Sequence, residues 1–178
     1  GWEARDPRPA QRREGEWWIG IGMAAAARVN IVSPSRARVT LRKDGTALVE
    51  TDMTDIGTGT YAILSQIAAE MLGLPTERVE VRLGDTDLPP GSGSGGSMGA
   101  SSVGSSVFVA CRALRQSVAD RLGCHETELT LKDGTATCAN RRAPLHELAA
   151  SGALSEEGEF RPGATQKQVS QASYGALF

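Results

Sequence analysis

Aromatic residues are scarce in this 178-residue chain, at 4%, and no excess of positive charge accompanies them, since the formal net charge is -2. A nucleic-acid surface needs a basic field and stacking faces. This sequence offers neither, so nucleic-acid recognition is set aside. Long hydrophobic runs are missing too: no apolar stretch approaches the roughly 20 residues that span a bilayer. The opening residues Gly1, Trp2, Glu3, Ala4 and Arg5 do not follow the charged-then-apolar order of a secretory signal. Cysteine is sparse, and Cys111, Cys124 and Cys138 lie far apart with no CxxC pair. With His125 and His146 as the only histidines, a structural zinc or iron–sulfur site has no ligand set. An odd cysteine count without a disulfide framework suits a reducing compartment, which favours the cytoplasm over the periplasm.

Glycine and serine, by contrast, are concentrated in one place. From Gly91 to Ser106 nearly every residue is Gly or Ser, with a helical pattern following at once. Such a run can be slack coil, or a backbone cradle at a helix N-terminus, where unpaired N–H groups meet an anion. Two features favour the cradle. A helix starts inside the run, and a second turn of the same kind occurs earlier, at Asp55-Ile-Gly-Thr-Gly-Thr60, also ahead of a helix.

The rest of the chain has an ordinary globular composition, 40% hydrophobic and 22% charged, enough for one domain. Residues 1–16, with four arginines and three glutamates around Pro7 and Pro9, read as an extended, solvated arm. Trp17 to Met23 alternates large residues with Gly20 and Gly22, as a strand does. Val39, Leu41, Ala47 and Val49 flank Lys43-Asp44-Gly45-Thr46, a strong hairpin signal. The same Lys-Asp-Gly-Thr wording at 132–135 predicts a second hairpin over about 128–139.

Ile63, Ile67 and Met71, with Leu64 and Ala68, predict an amphipathic helix stopped by Gly73. Val79, Val81 and Leu83 predict a short strand. Val103, Val107, Cys111, Leu114, Val118 and Leu122 predict a long helix ended by Gly123, with Cys111 as a packing residue on its apolar face. A short helix is expected over Leu145 to Ala150, and residues 151–171 read as an irregular return loop to a final strand. The expected fold is α+β in two layers: a mixed β-sheet with Asp-Gly hairpins, covered on one face by two long helices.

The motifs exclude several chemistries. Gly91 to Gly96 satisfies GxGxxG, but Pro89-Pro90 separates it from the strand and no acidic residue closes a βαβ unit, which disfavours a dinucleotide fold. No Lys follows Gly96 before a Ser or Thr, so a Walker A loop is absent, and no GxSxG elbow occurs. Asp55 and Asp85 suit turn fixing. Glu70 and Asp87 are also available carboxylates, and none of the four is a convincing general base.

Five ordered motifs carry a resemblance: Asp55-Ile-Gly-Thr-Gly-Thr60, Gln66 to Gly73, Gly84-Asp-Thr86, Pro89 to Ser97, and Val109 to Leu114. Together they resemble the molybdenum-cofactor-binding subunit of the xanthine dehydrogenase/aldehyde oxidase family, in particular its bacterial aldehyde oxidoreductase branch. The resemblance implies a molybdopterin cofactor in its cytosine-dinucleotide form and hydroxylation of an aldehyde or N-heterocycle with oxygen from water. It also implies partner subunits carrying iron–sulfur clusters and flavin. By position it assigns cofactor contacts to Gly57, Thr58, Gly59 and Thr60, and to Gly95, Gly96 and Ser97. Many relatives carry Gln where Thr58 stands, which puts a side-chain contact there in question while a backbone one survives. The family's catalytic Glu, in a late Gly-x-Gly-Glu motif, has no counterpart here, so no catalytic residue and no protein metal ligand is assigned. The chain begins without Met and ends in the apolar-rich run 172–178. On this view residues 17–178 are part of a cofactor-binding domain of a longer polypeptide and are inactive alone. The rival is a non-catalytic module binding phosphate or a protein partner.

Overall fold

The structure, a computed structural model, describes residues 1–29, 31–163 and 172–177. Among these, the strands in chain order are β1 (Arg12–Glu14), β2 (Trp17–Ile19), β3 (Ala24–Val29), β4 (Ser35–Leu41), β5 (Ala47–Thr51), β6 (Val79–Leu83), β7 (Thr130–Lys132), β8 (Thr135–Cys138), β9 (Arg141–Pro144), β10 (Leu154–Phe160) and β11 (Ala172–Leu177). The helices are α1 (Thr60–Leu72), α2 (Gly99–Leu122) and α3 (Leu145–Ala149). Two compact units divide them: one holds the described residues of 1–30 and 169–178, the other those of 31–168.

The first unit is made of two-stranded ribbons. β1 pairs antiparallel with β2, and β3 with β11. The segment expected to be a plain arm thus contains a strand, because Gly15 at φ 59 turns the chain back on itself. The strand expected across Trp17 to Met23 stops at Ile19. Its ladder ends where Arg12 of the partner strand does.

The second unit holds the core. Its main sheet has the order β10-β4-β5-β6, antiparallel except for the parallel β5/β6 pair. The first Asp-Gly turn closes as expected. Gly45, at φ 77, takes the left-handed conformation that glycine supplies without steric cost, while Asp44 Oδ1 accepts from Thr46 N (2.9 Å) and Thr46 Oγ1 (2.7 Å). Val39 then lies opposite Val49 and Leu41 opposite Ala47. All four are buried under the helices, as period-two alternation requires. The opposite face carries cross-strand pairs, Arg36–Glu159, Arg38–Glu157 and Arg42–Glu80, and stays solvated.

The stripe predicted on α2 is the one buried, whereas on α1 the buried line is Leu64, Ala68 and Leu72, and the predicted leading positions Ile63, Ile67 and Met71 are only partly buried beside it. Leu64, Ala68 and Leu72 of α1 join Val103, Val107, Cys111, Leu114, Val118 and Leu122 of α2 in one cluster with the sheet. Each large side chain there contributes about 1.5–3 kcal/mol of burial. Gly73 and Gly123, at φ 62 and 72, end the helices with left-handed caps. Leu74 N reaches back to Ala69 O and Cys124 N to Ala119 O.

Three expectations are corrected. The second Asp-Gly hairpin, β7/β8, does not join the main sheet but forms a separate three-stranded sheet with β9. It is held at the C-terminal ends of the helices, where Gly134 N donates to Gly73 O (2.9 Å) and Arg115 donates to Met71 O and Leu129 O. Second, residues 154–160 are not loop: they form edge strand β10, paired from Leu154↔Leu41 to Phe160↔Ser35. The strand meets α2 so closely that Gly158 is needed: a Cβ there would stand 2.2 Å from Ser106 O. Residues 151–153 and 161–163 carry no helix or strand, as expected of a loop, and 164–171 lie outside the described residues. Third, Cys124 and Cys138 form a disulfide with Cα atoms 6.6 Å apart, and only Cys111 is free. The expectation of no disulfide framework, and the argument for a reducing compartment built on it, therefore lose their basis.

Candidate functional site

Because β5 and β6 are parallel, their C-terminal ends share one edge of the sheet. Residues 52–59 leave the end of β5 for α1, and residues 84–98 leave the end of β6 for α2. This is where open sheets with parallel strands bind ligands. Two loops separated in sequence by a helix and a strand are thereby neighbours.

Hydrogen bonds zip the loops together. Asp52 N donates to Pro89 O (2.8 Å), and Arg36 N on β4 donates to Pro90 O (2.7 Å). Thr51 Oγ1, fully buried, lies 3.0 Å from Arg36 O and 3.2 Å from Pro89 O. Gly91 N donates to Asp52 Oδ1. Ser94 Oγ donates to Thr54 O, and the Thr54 hydroxyl donates to Ser94 Oγ at 2.9 Å. Gly91 permits this approach: a Cβ there would stand 2.9 Å from Met53 Cβ and 2.9 Å from Thr51 Oγ1. A side chain at 91 would push the loops apart.

In the first turn, Gly57 (φ 91) and Gly59 (φ 82) are left-handed, yet a Cβ on either would meet nothing within 4 Å. They are needed for backbone conformation, not for space. Asp55 Oδ1 accepts from Gly57 N (2.8 Å) and Thr58 N (3.0 Å), and Oδ2 from Tyr61 N (3.5 Å). Partial desolvation pushes the Asp55 carboxyl up. The N–H donors of Gly57, Tyr61, Thr58 and Gly59 outweigh it and hold the group below the ordinary carboxylate range. Thr58 is exposed, while Thr60 is buried as the first residue of α1.

The second turn differs. Gly96 (φ 53) and Ser97 (φ 58) are consecutive left-handed residues, and Ser97 is one of the few non-glycine residues to take that conformation, a cost that clusters at functional sites. Met98 N donates to Gly95 O (3.0 Å) and Ser102 N to Met98 O (2.9 Å). Among the described residues, the N–H groups of Gly95, Gly96 and Ser97 have no acceptor in the chain. Successive N–H groups running into the start of a 24-residue helix make an anion-accepting concavity. A Cβ at Gly95 would meet nothing within 4 Å, so the cradle is open.

The latter half of the Gly/Ser run has another role. Ser102 and Ser106 lie inside α2, fully buried. The Ser102 carbonyl accepts from Ser35 Oγ (2.7 Å), and its hydroxyl accepts from Ser33 N (3.0 Å). These ties lock α2 against the start of β4.

The structure thus brings Gly57–Thr60 and Gly95–Ser97 onto one edge. Sequence reading missed the cross-ties from Asp52, Thr54 and Ser94, for which no motif speaks. Neither loop, 52–60 or 84–101, contains a Lys or Arg, and together they hold Asp52, Asp55, Asp85 and Asp87. Anion contact here rests on backbone and hydroxyl donors. Among the described residues no group of three or more His, Cys, Asp or Glu is placed to hold a metal ion. A cavity of about 450 Å³ in this unit lies elsewhere, beyond the C-terminal end of α1, lined by residues including Glu70, Gly73, Arg78 and Lys132.

Comparison with known proteins identifies the family. The family described as molybdopterin cofactor-binding domain matches residues 1–178. The chain is 46% identical over 178 residues to the aldehyde oxidoreductase molybdenum-binding subunit PaoC of Escherichia coli (strain K12), covering 100% of this chain and 24% of that protein. It therefore spans about a quarter of that relative's length. Among solved structures, quinoline 2-oxidoreductase from Pseudomonas putida 86 superposes with a TM-score of 0.73 at 20% identity, over 87% of this chain and 23% of that one. Reconstituted CO dehydrogenase from Oligotropha carboxidovorans gives 0.69 at 19%, over 87% and 22%. With the family match over residues 1–178 and 46% identity to the molybdenum-binding subunit along the whole chain, the chain belongs to the molybdopterin cofactor-binding domain of the xanthine dehydrogenase/aldehyde oxidase family.

Proposed function

We propose that this chain forms part of the molybdopterin-dinucleotide site of an oxidoreductase that hydroxylates aldehydes or N-heterocycles with oxygen from water. The observation that carries the reading is the second glycine turn: three N–H groups with no acceptor among the described residues, at a helix start, on the edge where two parallel strands end. The residues fit the group. A large anionic cofactor offers many acceptors to backbone donors, and Gly95 leaves its contact surface bare.

In this reading Gly95, Gly96 and Ser97 hold the cofactor through their N–H groups, and Gly57, Thr58, Gly59 and Thr60 shape the opposite wall. Bound there, the molybdenum pterin would supply the two-electron redox chemistry. The chain's own residues bind and orient it, and none acts as acid or base, so the chain by itself is inactive. The cytosine-dinucleotide form and partner subunits carrying iron–sulfur clusters and flavin belong to the same proposal. The similarity to a protein named as the molybdenum-binding subunit of an aldehyde oxidoreductase supports the presence of further subunits, while the dinucleotide form and the partners' cofactors follow from the motif resemblance. A free-phosphate module is less well supported, because the loops hold four Asp and no cation, and a small dianion gains most from Lys or Arg partners.

The test uses the parent protein. Purified, it should contain molybdenum and release a fluorescent pterin on oxidation. Gly95→Leu costs the fold little, since that position has open space and no positive φ, but it fills the cradle. Pterin content should fall about tenfold, with stability within the ~0.5 kcal/mol typical of surface changes. A parent free of metal and pterin, or a Gly95→Leu variant with undiminished pterin, refutes the reading.

A further inference from the structure

The hydrogen-bond ladder between β4 and β5 runs from Leu41↔Ala47 to Arg38↔Glu50 and stops there. β4 nevertheless extends back to Ser35, and β5 on to Thr51. Residues 89–91 fill the gap between the two ends. Arg36 N on β4 donates to Pro90 O (2.7 Å), and Asp52 N donates to Pro89 O (2.8 Å). Gly91 N donates to Asp52 Oδ1. The sheet order is β10-β4-β5-β6, so the chain leaving β6 crosses the end of β5 to reach β4. It then sits between the two strands as a wedge. Pro89 and Pro90 bring no N–H into the wedge, so only their carbonyls need partners there.

Thr51 stands where the wedge meets the sheet. It is fully buried, and its hydroxyl lies 3.0 Å from Arg36 O and 3.2 Å from Pro89 O. One proton is thus shared between a carbonyl of the sheet and a carbonyl of the wedge. A Cβ at Gly91 would stand 2.9 Å from the same hydroxyl oxygen, so the fit has no spare room. We propose that Thr51 is a positioning residue: its hydroxyl pins the Pro89–Gly91 wedge and thereby sets where the second glycine turn stands relative to the first. Asp52 holds the wedge through Gly91 N, whereas Thr51 joins the wedge to β4 as well. The consequence for cofactor retention rests on the cofactor reading above. The pinning itself stands on the hydrogen bonds around the wedge.

The experiment compares the full parent subunit as wild type, Thr51→Val, Thr51→Ser and Gly91→Ala. Val keeps the volume and removes the hydroxyl, Ser keeps the hydroxyl, and Ala at 91 crowds the pin from the wedge side. Two quantities are read: native-state hydrogen exchange resolved to single amides, and pterin retained per subunit after dialysis. In Thr51→Val, exchange at Arg36, Asp52 and Gly91 should quicken about fivefold, the fold-change of one lost hydrogen bond. Amides of residues 107–114 in α2 should keep their wild-type rates, since a local opening leaves the rest of the fold closed. Retained pterin should fall by a similar factor. Thr51→Ser should restore both readings, and Gly91→Ala should resemble Thr51→Val. A general stability role instead quickens exchange in α2 by the same factor, and that result overturns the proposal. Wild-type exchange at the wedge in Thr51→Val overturns it too, as does equal pterin loss in the Val and Ser variants. Pterin undiminished in Thr51→Val, where the wild type carries it, has the same effect. If Thr51→Val does not fold, Gly91→Ala decides the question by the same two readings. If the wild type carries no pterin at all, the cofactor reading fails, while exchange at the wedge still decides the role of Thr51.

Discussion

Replacing Gly158 with Ala should be among the most damaging single changes in this protein, although it adds one methyl group to an edge strand. A Cβ at Gly158 would stand 2.2 Å from Ser106 O and 2.3 Å from Ala110 N, both backbone atoms of α2. Backbone inside a helix cannot swing aside, so the helix must move as a body away from β10. That movement would open the layer containing Val107, Cys111 and Leu114, all fully buried, and would pull on the Ser35–Ser102 tie that sets the start of α2. Overpacking costs about 1–3 kcal/mol where neighbours can adjust. Here the upper end applies, about 3 kcal/mol. For a chain of this size each kcal/mol lowers Tm by about 2–4 °C, so a fall of about 6–12 °C is expected.

Thermal unfolding followed by circular dichroism measures it, with Gly152→Ala as the control. Gly152 has no atom within 4 Å of its would-be Cβ and no positive φ, so the control should unfold within about 1 °C of wild type, as mutations away from close contacts do. A Gly158→Ala variant that unfolds with wild type would refute the claim that this glycine exists to let helix and strand touch.

The cysteines and the first turn give further predictions. Without reductant, only one thiol should be found in the unfolded chain. In the native state it should resist maleimide, since Cys111 is buried and burial pushes its thiol up to about 12. Reducing the Cys124–Cys138 bridge, 14 residues apart in sequence, should remove about 3 kcal/mol of stability on the loop-entropy estimate. An unchanged midpoint in reductant would count against the bridge. For Asp55 the sign follows from its lowered folded-state titration. Its contribution is present above the unfolded carboxylate range and is lost as pH falls through the lower folded value. The stability difference between wild type and Asp55→Ala should therefore shrink in acid and hold at neutral pH. A difference that grows in acid would contradict it.

Local structure was legible wherever one neighbour in sequence sufficed. Asp44-Gly45 announced its turn, Gly73 and Gly123 announced helix ends, and the stripe from Val103 to Leu122 named its buried face, since each signal depends on backbone torsion or a 3.6-residue period. Strand β10 was not legible. Leu-Ser-Glu-Glu-Gly-Glu-Phe carries little apolar signal because its inner face is pressed against a helix and its outer Glu157 and Glu159 pair with Arg38 and Arg36 across the sheet. The Cys124–Cys138 bridge was equally hidden, since spacing alone does not show that β8 returns to the end of α2.

The sequence by itself determined that two glycine turns each precede a helix, and five ordered motifs between Asp55 and Leu114 pointed by resemblance to a family of molybdenum-cofactor proteins. Only the tertiary structure decided that the turns belong together. β5 and β6 run parallel with α1 between them, so the chain exits both strands on the same edge, an arrangement set by strand direction rather than by any motif. Only the tertiary structure, too, shows the turns to be unequal. Asp55 fills the donors of one, and those of the other stay open, because hydrogen-bond satisfaction is a property of where side chains end up and not of which residues are present.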